Sequence, residues 1–168
     1  MDMKTLLKYM QAHHGRCDQL YADGENFLLD EQIEEGLESI KSFLNEMERH
    51  FQMEETVLFP TFEEISVMRQ GPTQVMRMEH QQMRNLLARM SEALSNGDRE
   101  EILEVGETMM ILMQQHNVKE EGILYPMANK HLASYREELI ERMDAVAIPA
   151  SKPSPKLLIL NGLPSITA

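Results

Sequence analysis

The sequence predicts an all-α protein: an antiparallel up-down-up-down four-helix bundle with a short fifth helix and an extended C-terminal tail. Three observations predict it. Apolar residues recur at helical spacing through four long segments, the alternation expected of strands is almost absent, and the segments are joined by short polar connections. The 168 residues fit one domain with room for a real core. Methionine, at 15 residues, supplies much of the apolar material, and there is no Trp.

The first segment carries Leu6, Met10, Cys17 and Leu20, with Asp2 as the expected N-cap and an end near Gly24. The second follows Asp30, carries Ile33, Leu37, Ile40, Phe43, Leu44, Met47 and Phe51, and runs into Pro60, which has no backbone N–H to give to a helix. "RQGPT" separates the two halves, and Pro72 suits the first turn of a third helix bearing Met76, Met83, Leu87, Met90 and Leu94. That helix stops at "SNGD", where Asp98 and Glu101 have the spacing of a capping box. The fourth carries Ile102, Val105, Met109, Leu112 and Met113 towards Pro126, and a short fifth helix runs from Ser134 to about Ala147. The domain is therefore expected over residues 1–147. Residues 148–168 form a Pro/Ser linker and an apolar stretch, "LLILNGL", expected to dock on the bundle or to serve as the contact of a homodimer or partner.

A net charge of -12 repels phosphate backbones and anionic lipids, which argues against nucleic acid and membrane surfaces as partners. The acidic runs "DEQIEEGLE" and "DREEILE" read as solvated helix faces. The single cysteine cannot form an internal disulfide, and neither a signal peptide nor a membrane span is expected, so the location expected is cytoplasmic.

One phrase occurs twice. "HFQMEETVLFP" (His50 to Pro60) and "HNVKEEGILYP" (His116 to Pro126) share the pattern H-x-x-x-E-E-x-[VI]-L-[FY]-P. On a helix, positions i and i+4 share a face, so His50 and Glu54 pair, as do His116 and Glu120. His50 lies on the stripe of Phe43 and Met47, and His116 on that of Met109 and Met113, which turns both pairs inward. Buried carboxylates need partners. Two inward His/Glu pairs from two helices are satisfied together by metal, and imidazole with carboxylate suits iron, manganese or zinc. The third helix adds His80, on the stripe of Met76, Met83 and Leu87. The first offers His13 and His14, which spacing alone does not separate. Taken by itself, a histidine on an apolar stripe is more often a satisfied core residue than a ligand; the duplication is what favours metal.

The pattern H…HxxxE…H…HxxxE resembles the hemerythrin-like, HHE cation-binding family, over roughly His14 to Pro126. "HGRCD" is similar to the family's first-helix motif and puts His14 at the ligand place; "MRMEHQQM" resembles its third helix. The resemblance implies two non-haem iron ions, joined by an oxo or hydroxo bridge, in a four-helix bundle. The implied metal ligands are His14, His50, Glu54, His80, His116 and Glu120, two histidines to each iron, with Glu54 and Glu120 bridging. Arg84 stands four residues after His80, where oxygen carriers of the family have a fifth histidine, and Glu120 stands where they use an aspartate.

The function expected is binding or sensing of a small diatomic ligand, oxygen or nitric oxide, rather than catalysis. The alternatives are a di-iron enzyme or stress factor (nitric oxide or peroxide reduction, iron donation for iron–sulfur cluster repair) and an interaction module with a structural metal. Among the remaining residues, Cys17 and Tyr21 read as core, the methionines as adaptable filler, and Tyr125 as packing where Phe59 does. His13 is expected at the bundle edge and His131 at a bundle end. Glu55 and Glu121 turn about 100° off the ligand face, to pair with basic residues or to accept a bond from a ligand histidine.

Overall fold

The computed structural model of the chain describes residues 5–148, and among these every regular element is helical. Helix α1 spans Leu6–Leu29 and α2 Ile33–Met53; α2 continues through a wide π turn, Glu54–Leu58, into α3, Phe59–Ser66. Helix α4 spans Pro72–Asn96 and α5 Arg99–Lys119; α5 continues through a second π turn, Glu120–Leu124, into α6, Tyr125–His131. A 3₁₀ turn, Ala133–Tyr135, leads into α7, Arg136–Asp144. No helix among the described residues is long and apolar enough to cross a membrane.

Several predicted boundaries move, each for a physical reason. Thr5 caps α1, its hydroxyl accepting the Lys8 N–H at 3.1 Å, and Asp2, the expected cap, lies outside the described residues. Gly24 does not end α1. It lies inside the helix because α2 crosses there too closely for a side chain; a Cβ on Gly24 would come within 2.7 Å of Ile40, and one on Gly36 within 2.6 Å of Leu28. The helix closes instead at Asp30, whose N–H reaches Asn26 O. Asp98 caps α5 by accepting the Glu101 N–H, but the reciprocal half of the capping box is missing: the Asp98 N–H donates to Ala93 O at 2.9 Å, and the Glu101 carboxylate bonds Arg89 at 2.7 Å. The fifth helix begins at Arg136 with no side-chain cap from Ser134 and stops at Asp144. The segment "LLILNGL", expected to dock on the bundle, lies outside the described residues.

The largest departure is at the two prolines. Neither Pro60 nor Pro126 ends its helix. A proline ring strikes the carbonyl four residues back and offers it no hydrogen. The chain meets this by widening one turn: the Phe59 N–H bonds Glu54 O, and the Tyr125 N–H bonds Glu120 O, both five residues back. The repeated phrase thus encodes a repeated π turn, and each begins at the phrase's first glutamate.

Helix α1 packs on α2, α4 on α5, α2 on α4, and α1 on α6. The apolar interior falls into two clusters. One holds Leu6, Met10, Met53, Leu58, Phe59, Phe62, Met76, Leu124, Tyr125 and the α7 residues Leu139 and Met143. The other holds Cys17, Tyr21, Leu28, Ile40, Phe43, Met47, Phe51, Met83, Met90, Ile102 and Met109. By position along α1, α2, α4 and α5, a layer of buried polar residues sits between them. Helix α7 is tied down by Tyr9, whose hydroxyl donates to Asp144 at 2.5 Å, and by Arg49, which donates to the Val146 carbonyl at 2.8 Å.

Candidate metal centre

The polar layer consists of His14 from α1, His50 from α2, Glu54 from the first π turn, His80 from α4, His116 from α5 and Glu120 from the second π turn. None of the six is more than 6% exposed. Their donor atoms converge in two groups, each within 4.8 Å: His14, His50, Glu54 and Glu120, and then Glu54, His80, His116 and Glu120. Each half of the chain contributes one of the two glutamates. Both belong to both groups, while each group takes its two histidines from one half.

The donor atoms are close without being paired. Glu54 Oε2 lies 3.0 Å from His80 Nε2 and 3.6 Å from His50 Nε2, and Glu120 Oε1 lies 3.0 Å from His116 Nε2 and 3.3 Å from His14 Nε2. Yet Glu54 Oε2, both Glu120 oxygens, His80 Nε2 and His116 Nε2 are buried without hydrogen-bond geometry to any partner among the described residues. Orphaned buried acceptors are costly. Here they all aim at common points, so the donor set and its unmet demand both fit metal ions.

The outer ring nitrogens of three of the four histidines are engaged. His80 Nδ1 is 2.8 Å from Glu55 Oε1, His116 Nδ1 is 2.7 Å from Glu79 Oε2, and His14 Nδ1 is 3.3 Å from Glu121 Oε1. A carboxylate that takes the Nδ1 hydrogen leaves Nε2 as a lone pair facing the centre and fixes the ring's orientation. The second glutamate of each phrase therefore serves the histidine of the opposite half: Glu55 serves His80, and Glu121 serves His14. Glu55 also fulfils the other expectation for it. Arg84, in the place of a fifth histidine, bonds Glu55 at 2.8 and 3.0 Å and Glu48 at 2.9 and 3.0 Å. The Phe51 ring lies stacked 4.2 Å from His80 and 5.1 Å from the Arg84 guanidinium.

Electrostatics in the polar layer follow from this geometry. Burial pushes His50 well below its ordinary pKa, so the ring is neutral. Burial also opposes charge on His80, but the adjoining Glu54 and Glu55 carboxylates outweigh it and raise its pKa to about 9. Burial would raise Glu55, yet His80 and Arg84 hold it down at about 2. Against burial, the imidazoles of His116 and His14 keep Glu120 far below the usual carboxylate range. Protons on the imidazoles thus offset the carboxylates' charge, and a metal ion would displace them.

Sequence reading missed two residues here. Tyr125 does occupy the place equivalent to Phe59: its ring lies 5.6 Å from His14, as Phe59 lies 5.8 Å from His80. But its hydroxyl enters the centre, donating to Glu54 Oε1 at 2.5 Å and lying 3.1 Å from His14 Nε2. The signal was the one F-to-Y difference between the phrases, since a buried phenol needs a polar partner. Glu79 was the other; it bonds His116 and Lys119, and nothing in its position next to His80 foretold a role towards α5. The remaining expectations fared simply. His13 is half-buried beside Tyr9, 6.2 Å from the His50 ring, and His131 is exposed against the edge of Phe62. Cys17 is buried, and burial raises its thiol pKa to about 12, as befits a core residue rather than a reactive thiolate. Tyr21 packs edge-on against Phe43 in the second apolar cluster.

A narrow cleft of about 80 Å³ between α4 and α5, bordered by Glu79, Met83, Leu112 and Lys119, reaches His116. A larger open depression of about 490 Å³ near Phe27, Glu34 and Ser42 shares no residue with the centre.

The family model described as the hemerythrin HHE cation binding domain matches residues 5–128, roughly three-quarters of the chain. No curated protein and no solved structure matches it.

Proposed function

The chain belongs to the hemerythrin HHE cation-binding family, and from that premise we propose that it is a non-haem di-iron protein that binds or senses oxygen or nitric oxide. The observation that carries this reading is the pair of buried donor groups that share Glu54 and Glu120. His14 and His50 would hold one iron and His80 and His116 the other, with both carboxylates common to the two. Iron held there would supply reversible electron exchange with a diatomic ligand. The family and the short connections around residues 30–32 and 97–98 support an up-down-up-down bundle as the domain, residues 1–147, and the reduced, buried Cys17 suits a cytoplasmic setting.

The chain's own groups have defined tasks in this reading. Glu55, Glu79 and Glu121 orient His80, His116 and His14 through Nδ1. The apolar clusters on either side of the polar layer exclude bulk water and protons, which would slow autoxidation of bound iron. Tyr125 holds a proton on its oxygen: burial and the two carboxylates push its pKa well above the ordinary phenol value. The Tyr125 hydroxyl at the centre, in contact with Glu54 and His14, favours a second reading, turnover, in which an external reductant supplies the electrons that reduce nitric oxide or peroxide and the phenol orients the ligand by a hydrogen bond.

Anaerobic titration of the apoprotein with Fe(II), followed by metal analysis and optical spectra before and after oxygen or nitric oxide, tests the proposal. Two irons per chain and a charge-transfer band that appears on exposure and reverses on removal of the ligand are expected. Fewer than two irons per chain refutes it, and consumption of ligand over many cycles with a reductant moves the protein to the enzyme reading.

A further inference from the structure

The two halves of the chain supply equal donor sets, yet their surroundings differ. Around His80 and His116 every outer nitrogen is firmly held. The His80 Nδ1 contact is 2.8 Å, to a Glu55 that Arg84 grips with two bonds, and Arg84 is itself gripped by Glu48. His80 is further stacked against Phe51 and Phe59. The His116 Nδ1 contact is 2.7 Å, to a Glu79 also bonded by Lys119. Around His14 and His50 the support is weaker. The His14 Nδ1 contact is 3.3 Å, to a Glu121 that is 32% exposed. His50 Nδ1 is buried with no hydrogen-bond partner among the described residues. His14 Nε2, the atom that would face a metal, already lies 3.1 Å from both the Tyr125 hydroxyl and His50 Nε2.

From this asymmetry we infer that the two metal positions are unequal: the His80/His116 position takes the first ion and releases it last, and Glu55, Glu79 and Arg84 are the positioning residues that make it so. The inference rests on the metal-binding reading above. A carboxylate on Nδ1 makes the imidazole a more basic and better-aimed ligand, and losing such a partner costs about ten- to a hundredfold in metal affinity. His50 lacks one altogether, and that of His14 is long and partly solvated. Since Glu54 and Glu120 belong to both groups, an ion at the first position also orients the carboxylates for the second. The weaker position is then the one that exchanges its ion.

The test is anaerobic equilibrium titration of the full chain with Fe(II), read by calorimetry, together with the time course of iron loss to an excess of chelator. The wild type is expected to bind two ions in two steps separated by more than the statistical ratio of equal sites, and to lose them in a fast and a slow phase. Glu55→Gln and Glu79→Gln, made separately, should each weaken the tight step about ten- to a hundredfold and speed the slow phase. Glu121→Gln should alter only the weak step and the fast phase. Helix content by circular dichroism checks that each variant is folded, and two independent variants on the tight side guard against one that is not. Two ions entering in one indivisible step, or Glu55→Gln and Glu79→Gln acting only on the weak step, overturns the inference while leaving the di-iron reading standing. A wild type that binds fewer than two ions overturns both.

Discussion

Replacing Tyr125 by phenylalanine removes one oxygen from the middle of the protein and nothing else. The ring should stay in place, because Phe59 fills the equivalent position in the other half of the chain. What disappears is the hydroxyl's bond to Glu54 Oε1 and its contact with His14 Nε2. Glu54 is fully buried, and its other oxygen is already unpartnered. A hydrogen bond to a charged group contributes about 1.5–3 kcal/mol, so the apoprotein should lose about 2 kcal/mol. For a chain of this length that corresponds to a fall in Tm of about 4–8 °C. With metal bound, Glu54 has a stronger partner than the phenol, and the penalty should shrink to a fraction of that value. Calorimetric melts of wild type and Tyr125→Phe, each without metal and saturated with Fe(II) under anaerobic conditions, measure both numbers. An apoprotein whose Tm is unchanged or raised would refute the reasoning, since it would mean that Glu54 does not depend on the hydroxyl. A penalty of equal size in both states would refute the claim that metal takes over Glu54.

Three further outcomes are expected. His116→Ala and Glu120→Ala should each reduce bound metal below two ions per chain, whereas His131→Ala, at an exposed position remote from the layer, should leave metal content unchanged. The folded apoprotein holds His80 at a pKa of about 9, against 6.5 for the free group. Its contribution to stability is therefore complete below pH 6.5 and lost as pH rises through 9. Denaturant unfolding should show the apoprotein weakening by on the order of 3 kcal/mol across that interval, while metal affinity rises over the same range as protons cease to compete. Finally, the Cys17 thiol should resist alkylation at pH 8 in the native protein and react promptly in denaturant, since burial raises its pKa to about 12; rapid labelling of the folded chain would show that α1 opens at that point.

The amino-acid sequence by itself determined what depends on neighbours along the chain. Helical periodicity marks the four long segments, and i, i+4 spacing puts His50 with Glu54 and His116 with Glu120, because a helix places such residues on one face whatever surrounds it. Spacing does not separate His14 from His13; the resemblance of "HGRCD" to the family's first-helix motif does, and His14 is the buried one. Boundaries were less legible where packing overrode local preference. Gly24 reads as a stop signal, yet Ile40 needs its bare backbone, and the two prolines read as terminators although a π turn carries each helix past them. Only the tertiary structure decided how the centre is wired. Glu55 reaches His80, Glu121 reaches His14 and Glu79 reaches His116, pairs separated by 25, 107 and 37 positions in the chain. The direction of the Tyr125 hydroxyl belongs to the same category, whereas the sharing of Glu54 and Glu120 is already implied by the family resemblance. Such contacts depend on how far each helix slides and turns against its neighbours. That is set by the summed packing of the apolar clusters above and below the polar layer, a property of the whole interior that no single stretch of sequence carries.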